Sequence, residues 1–193
     1  MHNRASDWVG RMAGAIAFVL ALPILILALP LVLADSIWMD YKGGALRRAF
    51  LAKWTPEGKR ALLVYSNSPN WQDYIETNWL PRLGHQVVIL NWSERQNWDR
   101  DHFLEASVFR AYTGRKEFNP VAIVFRPGAN VGLASRWRAL LHGDLIGALL
   151  RGSHHGVTVV PFWQAFKDFK HGREQTLRRA EQRMFAALES SGA

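Results

Sequence analysis

The sequence predicts an α/β protein: an N-terminal transmembrane helix followed by one three-layer α/β/α domain with a four-stranded, mainly parallel sheet. Three observations lead there. Met12 to Ala34 is an uncharged apolar run. Beyond residue 60, four short apolar stretches rich in β-branched residues recur, each followed by a helix-like pattern. Between these two regions lies a strongly basic stretch. The chain therefore divides into a short N-terminal tail (1–11), the span (12–34), a basic juxtamembrane linker (35–58) and the α/β domain (59–190).

As a helix, the apolar run would be roughly 34 Å long, enough to cross a hydrocarbon core of about 30 Å. Pro23 and Pro30 would break a helix in water but are tolerated in a membrane span. A cleavable signal is the rival reading, with Arg4 and Arg11 as its charged start and Val32-Leu33-Ala34 as its cleavage site, which would export the domain after cleavage near Ala34. The run exceeds the roughly 7–15 apolar residues of a signal core. Trp8 and Trp38 flank it at the two interfaces, as an aromatic belt does. Both points favour an anchor. More positive charge follows the span than precedes it, which places the C-terminal domain in the cytoplasm.

The net charge is +8, and residues 36–60 hold half of that excess, with six basic groups against two acidic. Such a stretch beside a span suits anionic lipid headgroups, at about 1 kcal/mol per basic residue near the surface. No nucleic-acid motif accompanies the charge, so nucleic acid is not an expected partner. Without cysteine, the chain has neither disulfides nor thiol chemistry. Gly43-Gly44 reads as a hinge, and residues 45–54 as a short amphipathic helix. Leu46, Phe50 and Trp54 form its apolar stripe, with Arg47, Arg48 and Lys53 around the rest. These residues, with Trp8 and Trp38, are the candidate membrane-interface set. The same stripe would equally suit packing on the domain.

Residues 61–65 (ALLVY) read as a strand covered on both faces. Ser68-Pro69 then signals a helix start, with Trp71, Tyr74, Ile75 and Trp79 on one face. Pro81 distorts its last turn, and Gly84 is expected to end it in the left-handed conformation. Residues 86–90 (QVVIL) form the second strand. A helix from Asp99 or Asp101 to Tyr112 follows, with Phe103, Leu104, Val108 and Phe109 inward and Gly114 closing it. Residues 121–125 (VAIVF) and 157–160 (VTVV) are the third and fourth strands, separated by a helix over about 135–150. A final helical stretch from Phe162 to about Leu188 is interrupted at Gly172. Strand–helix alternation of this kind implies right-handed crossovers and a Rossmann-like or flavodoxin-like sandwich, with strand order 2-1-3-4.

In an open parallel sheet, ligands bind beyond the carboxyl ends of the strands. The loops expected there supply Ser66, Asn67, Ser68, Asn91, Glu94, Arg95 and Arg126. Two arginines, hydroxyls and a helix start suit an anionic, phosphate-bearing small ligand. Each residue also has a structural reading, as a cap, a turn residue or a tie between loops. No nucleotide-binding glycine loop or hydrolase serine elbow is present. His154-His155 is expected at the opposite edge, and His102 with Glu105 lacks a second ligand pair, so no metal site is assigned. No catalytic residue and no cofactor is assigned. The expected activity is binding of a small anionic ligand; the alternative is a non-catalytic, membrane-tethered adaptor that recruits a protein partner through its basic surface and terminal helix. The tryptophans at 71, 79, 137 and 163 are expected in the core.

Overall fold

The computed structural model of the 193-residue chain describes residues 41–114, 119–126 and 156–190. The expected span at 12–34, Trp8, Trp38, the expected helix at 135–150 with Trp137, and His154-His155 lie outside these residues. Among the described residues, no helix is long and apolar enough to cross a membrane. The described residues all fall within one compact unit.

Helix α1 occupies residues 41–54. Strand β1 is Ala61–Tyr65, buried along its whole length. Helix α2 starts at Gln72–Tyr74, widens into a π-helical turn at Ile75–Trp79 and closes at Leu80–Leu83. The widening has a local cause. Pro81 has no N–H for the carbonyl of Thr77, and its ring would press on that carbonyl in a regular helix. Gly84 has φ −46°, so it is right-handed, contrary to the expectation from sequence. Ser68-Pro69 opens a turn rather than the helix: the Ser68 carbonyl accepts from the N–H groups of Trp71 and Gln72, and helical residues begin only at Gln72.

Strand β2 is Val87–Asn91, leading through a 3-10 segment at Trp92–Asn97 into α3 (Trp98–Asp101) and α4 (Phe103–Thr113). Strands β3 (Val121–Phe125) and β4 (Val157–Pro161) follow, then α5 (Trp163–Lys170) and α6 (Glu174–Glu189). The interruption between the last two helices falls at Gly172, whose φ of 75° is a left-handed conformation that glycine adopts without penalty.

The strands lie in the order β2-β1-β3-β4. Their directions correct the expectation of a mainly parallel sheet. Among the described strands, only β1 and β2 are parallel, with Ala61 beside Val87 and Tyr65 beside Asn91. Strand β3 runs antiparallel to both neighbours, pairing Ala61 with Val124 on one side and Ile123 with Val159 on the other. The direction of β3 could not be read from its residues, because a strand buried on both faces is apolar throughout whichever way it runs. Composition identifies such a strand without orienting it.

Each face of the sheet carries its own core. On one face, Leu63, Tyr65 and Val124 pack with Ile75 and Trp79 of α2, Phe166 of α5, and Leu177, Met184 and Leu188 of α6. Trp79 lies 4.5 Å from the ring of Phe162, and Tyr74 meets Phe166 edge-on at 5.6 Å. Helix α6 therefore lies on the sheet and does not project from it. On the other face, Leu62, Val64 and Ile123 pack with Phe50 of α1, Trp98 of α3, and Val108 and Phe109 of α4. Two residues expected inside are outside: Phe103, 66 % exposed, at the first position of α4, and Trp163, under Lys167 at the first position of α5.

Tyr65 and Tyr74 on the first face are both pushed up to about 12, first by burial and then by a carboxylate beside each, Glu76 and Glu181 respectively. A phenol raised above its unfolded value of 10.0 adds stability that is complete below pH 10 and lost as pH rises through about 12. The urea midpoint is expected to fall steeply over that interval. Tyr74→Phe, which also loses the bond to Glu181, starts lower at neutral pH and falls less across the same interval.

Candidate functional site

The carboxyl end of β1 carries the candidate loops. Tyr65 is followed by Ser66, whose hydroxyl donates to Asn119 Oδ1 at 3.1 Å and accepts from Trp71 Nε1 at 3.2 Å. The Asn67 backbone N–H donates to Ser93 Oγ at 3.0 Å, which ties the β1 loop to the β2 loop. Asn91 caps the 3-10 segment, its side-chain oxygen accepting from the Ser93 N–H at 3.0 Å. Its amide nitrogen donates to Glu94 Oε1 at 2.9 Å. Ser68 Oγ accepts from the Asn70 N–H at 3.4 Å, and Lys170 of α5 donates to the Asn70 side chain. Ser66, Asn67, Ser68, Asn91 and Glu94 are thus brought together; the Ser66–Asn119 and Asn67–Ser93 bonds join separate loops, and the other bonds of these five residues stay within one loop.

Arg95 belongs to the same edge. Its guanidinium lies 5.5 Å from the centre of the Trp92 ring, which in turn meets Trp98 edge-on. Arg95, Glu94 and Asn67 are exposed.

Arg126 is not part of this group. Because β3 is reversed, its carboxyl end lies at the amino end of β1, where Phe125 N–H donates to the Arg60 carbonyl at 2.9 Å. Arg126 N–H donates to the Gly156 carbonyl at 2.8 Å, and its own carbonyl accepts from Arg47. The reversal replaces Arg126 with Asn119 at the candidate edge. It exchanges a cation for a neutral amide, and it gathers Arg47, Arg60 and Arg126 at the opposite edge. Asn119 could not be found from the sequence without knowing the direction of β3.

The membrane-interface set is also divided. Phe50 is fully buried, 4.7 Å from the Phe125 ring, and Trp54 donates through Nε1 to Glu105 Oε1 at 2.8 Å. Arg47 is 6 % exposed. These three face the domain, so the apolar stripe of α1 packs on the sheet and not in a bilayer. Arg48 and Lys53 lie on the outward side. Helix α1 is therefore an element of the α/β domain, which reaches back beyond the expected start at residue 59.

Sequence reasoning also passed over Glu105, considered there only beside His102. It is 1 % exposed and accepts from both Trp54 Nε1 and Lys53 Nζ, each at 2.8 Å. The signal was present: Glu105, Phe109 and Tyr112 share one face of α4, and a carboxylate on an apolar stripe needs buried donors. Among the described residues, no three His, Asp or Glu side chains converge as a metal site would require.

No protein-family model, no curated protein and no solved structure matches this chain.

Proposed function

We propose that the chain is a single-pass, membrane-tethered adaptor. The apolar run 12–34 anchors it, and the α/β domain, beginning with α1, presents basic surfaces to a partner protein at the cytoplasmic side. The observation carrying this reading is that α1, which begins only six residues beyond the apolar run in the sequence, is built into the core of the domain. The edge that would have held an anion has meanwhile lost Arg126 to the other side of the sheet.

The partner surface in this reading is the outer face of α6. Leu177, Met184 and Leu188 hold the helix on the sheet, and Arg179 and Arg183 are exposed on the other side. Truncation after Gly172 cannot test this, since it removes core residues. Charge reversal can. Arg179→Glu with Arg183→Glu is expected to abolish a specific photo-cross-link from position 182 in cells while leaving the melting temperature within about 2 °C of wild type. An undiminished cross-link from the double variant contradicts the adaptor surface.

A second reading is a phosphate-bearing small ligand at the carboxyl edge, and the exposed Arg95 over Trp92 together with Asn67 supports it. A ligand at a hundred times its dissociation constant adds about 2.7 kcal/mol. A thermal shift with nucleotides, sugar phosphates or inorganic phosphate, lost in Arg95→Ala, would put this reading ahead.

A further inference from the structure

We propose that the partner of the outer face of α6 is an acidic protein segment, held between arginines on the two sides of that helix. This rests on the adaptor reading above and names the chemistry of its partner.

Packing fixes how α6 is rotated. Leu177, Met184 and Leu188 are buried against the sheet. At 3.6 residues per turn, Gln175, Gln182 and Ala186 then form the outward crest, and all three are exposed. Arg179 and Arg183 stand on one side of the crest, one turn apart, with about 5–6 Å between their Cβ atoms. Both are exposed, and neither has an ionic partner among the described residues. On the other side lies Arg82 of α2, also exposed, its guanidinium 3.9 Å from the centre of the Phe185 ring. Stacking on the ring holds that fork in place while its N–H groups stay available to an acceptor.

Most acids of α6 are engaged. Glu174 pairs with Arg178 at 2.8 Å. Glu181 turns toward α2, where it accepts from Trp79 Nε1 at 2.7 Å and from the Tyr74 hydroxyl at 2.9 Å. Glu189, at the last position of the helix, is the remaining one.

Guanidinium forks match carboxylates, and an acidic helical segment presents these at the same one-turn spacing as Arg179 and Arg183. A bilayer fits less well. Among the described residues, none of the exposed large apolar side chains lies on α6, and α6 covers the sheet face opposite α1, the helix that follows the apolar run. With glutamines on the crest, the contact is driven by charge. It should weaken many-fold as salt rises to about 1 M, where the screening length is about 3 Å.

The full chain with a photo-cross-linker at position 182, expressed in cells, provides the test. The partner peptide joined to it is sequenced by mass spectrometry, and its carboxylates are changed to lysine. The peptide is expected to carry two or more Asp or Glu residues one helical turn apart. Its lysine form should lose the cross-link to the wild-type chain many-fold and regain most of it with Arg179→Glu plus Arg183→Glu. Arg82→Gln alone should weaken the wild-type cross-link several-fold. A peptide without such carboxylates, or no recovery when the charges are exchanged, overturns the acidic partner and leaves the adaptor surface standing. A cross-link to lipid or nucleic acid, or no specific cross-link, overturns both.

Discussion

Phe50→Ala is expected to destabilise the domain by about 3–5 kcal/mol, the usual effect of removing a buried aromatic ring. The side chain is fully buried, tilted against the Phe125 ring and surrounded by the second-face core. For a domain of this size, that loss corresponds to a drop in melting temperature on the order of 10 °C. Arg48→Ala, two residues earlier and exposed, should stay within about 0.5 kcal/mol of wild type. Thermal melts of the full chain in mild detergent measure both. Were residues 45–54 an interfacial helix separate from the domain, the order would be different: Phe50→Ala would leave the fold untouched and weaken only membrane contact.

Glu105→Ala is the second large effect, expected at about 2–4 kcal/mol. The alanine leaves the Trp54 indole N–H and the Lys53 ammonium without their shared acceptor and opens space beneath α1. The estimate sits at the lower end for a broken buried pair because the Lys53 side chain is 50 % exposed and can turn to water. Glu105 Oε2 is buried without a hydrogen-bond partner, which already offsets part of what the carboxylate contributes. Glu105→Gln, which keeps the shape and one acceptor, should fall between wild type and alanine.

The pH dependence of this pair has a definite sign. Burial pushes the Glu105 carboxyl up, but the hydrogen bonds from Lys53 and Trp54 outweigh it, so the group is held below its ordinary value of 4.5. A depressed carboxyl binds fewer protons in the native state than in the unfolded one. Its stabilisation is complete above pH 4.5 and is lost as pH falls through the native value. Urea midpoints of wild type and Glu105→Gln should therefore converge as the pH is lowered below 4.5 and remain apart at neutrality.

What could be read from the sequence follows from what each pattern encodes. The strands β1 and β3 were legible because a run buried on both faces is apolar at every position, and the interruption before α6 because Gly172 is the residue that accepts its backbone conformation. Strand direction is a property of the connections, not of the run itself. Reversal of β3 alone moved Arg126 away from the candidate site and brought Asn119 in. The stripe Leu46, Phe50 and Trp54 announced a buried face but not what would bury it, since a bilayer and a sheet ask the same of a helix. Glu105 settles that ambiguity in the structure, because it gives Trp54 a buried hydrogen-bond acceptor inside the protein. Phe103 and Trp163 were misplaced because each opens its helix, where the periodicity that assigns faces has barely begun.

Whether the apolar run stays on the chain decides between a tether and a removable signal. Full-length chain bearing a C-terminal tag is expressed in cells, its membranes are washed with alkaline carbonate, and the intact mass of the recovered protein is determined. A tethered chain pellets with the membranes and retains residues 1–34. A soluble chain beginning just after Ala34 would contradict the tether, showing that the apolar run is a removable signal and that the domain works elsewhere.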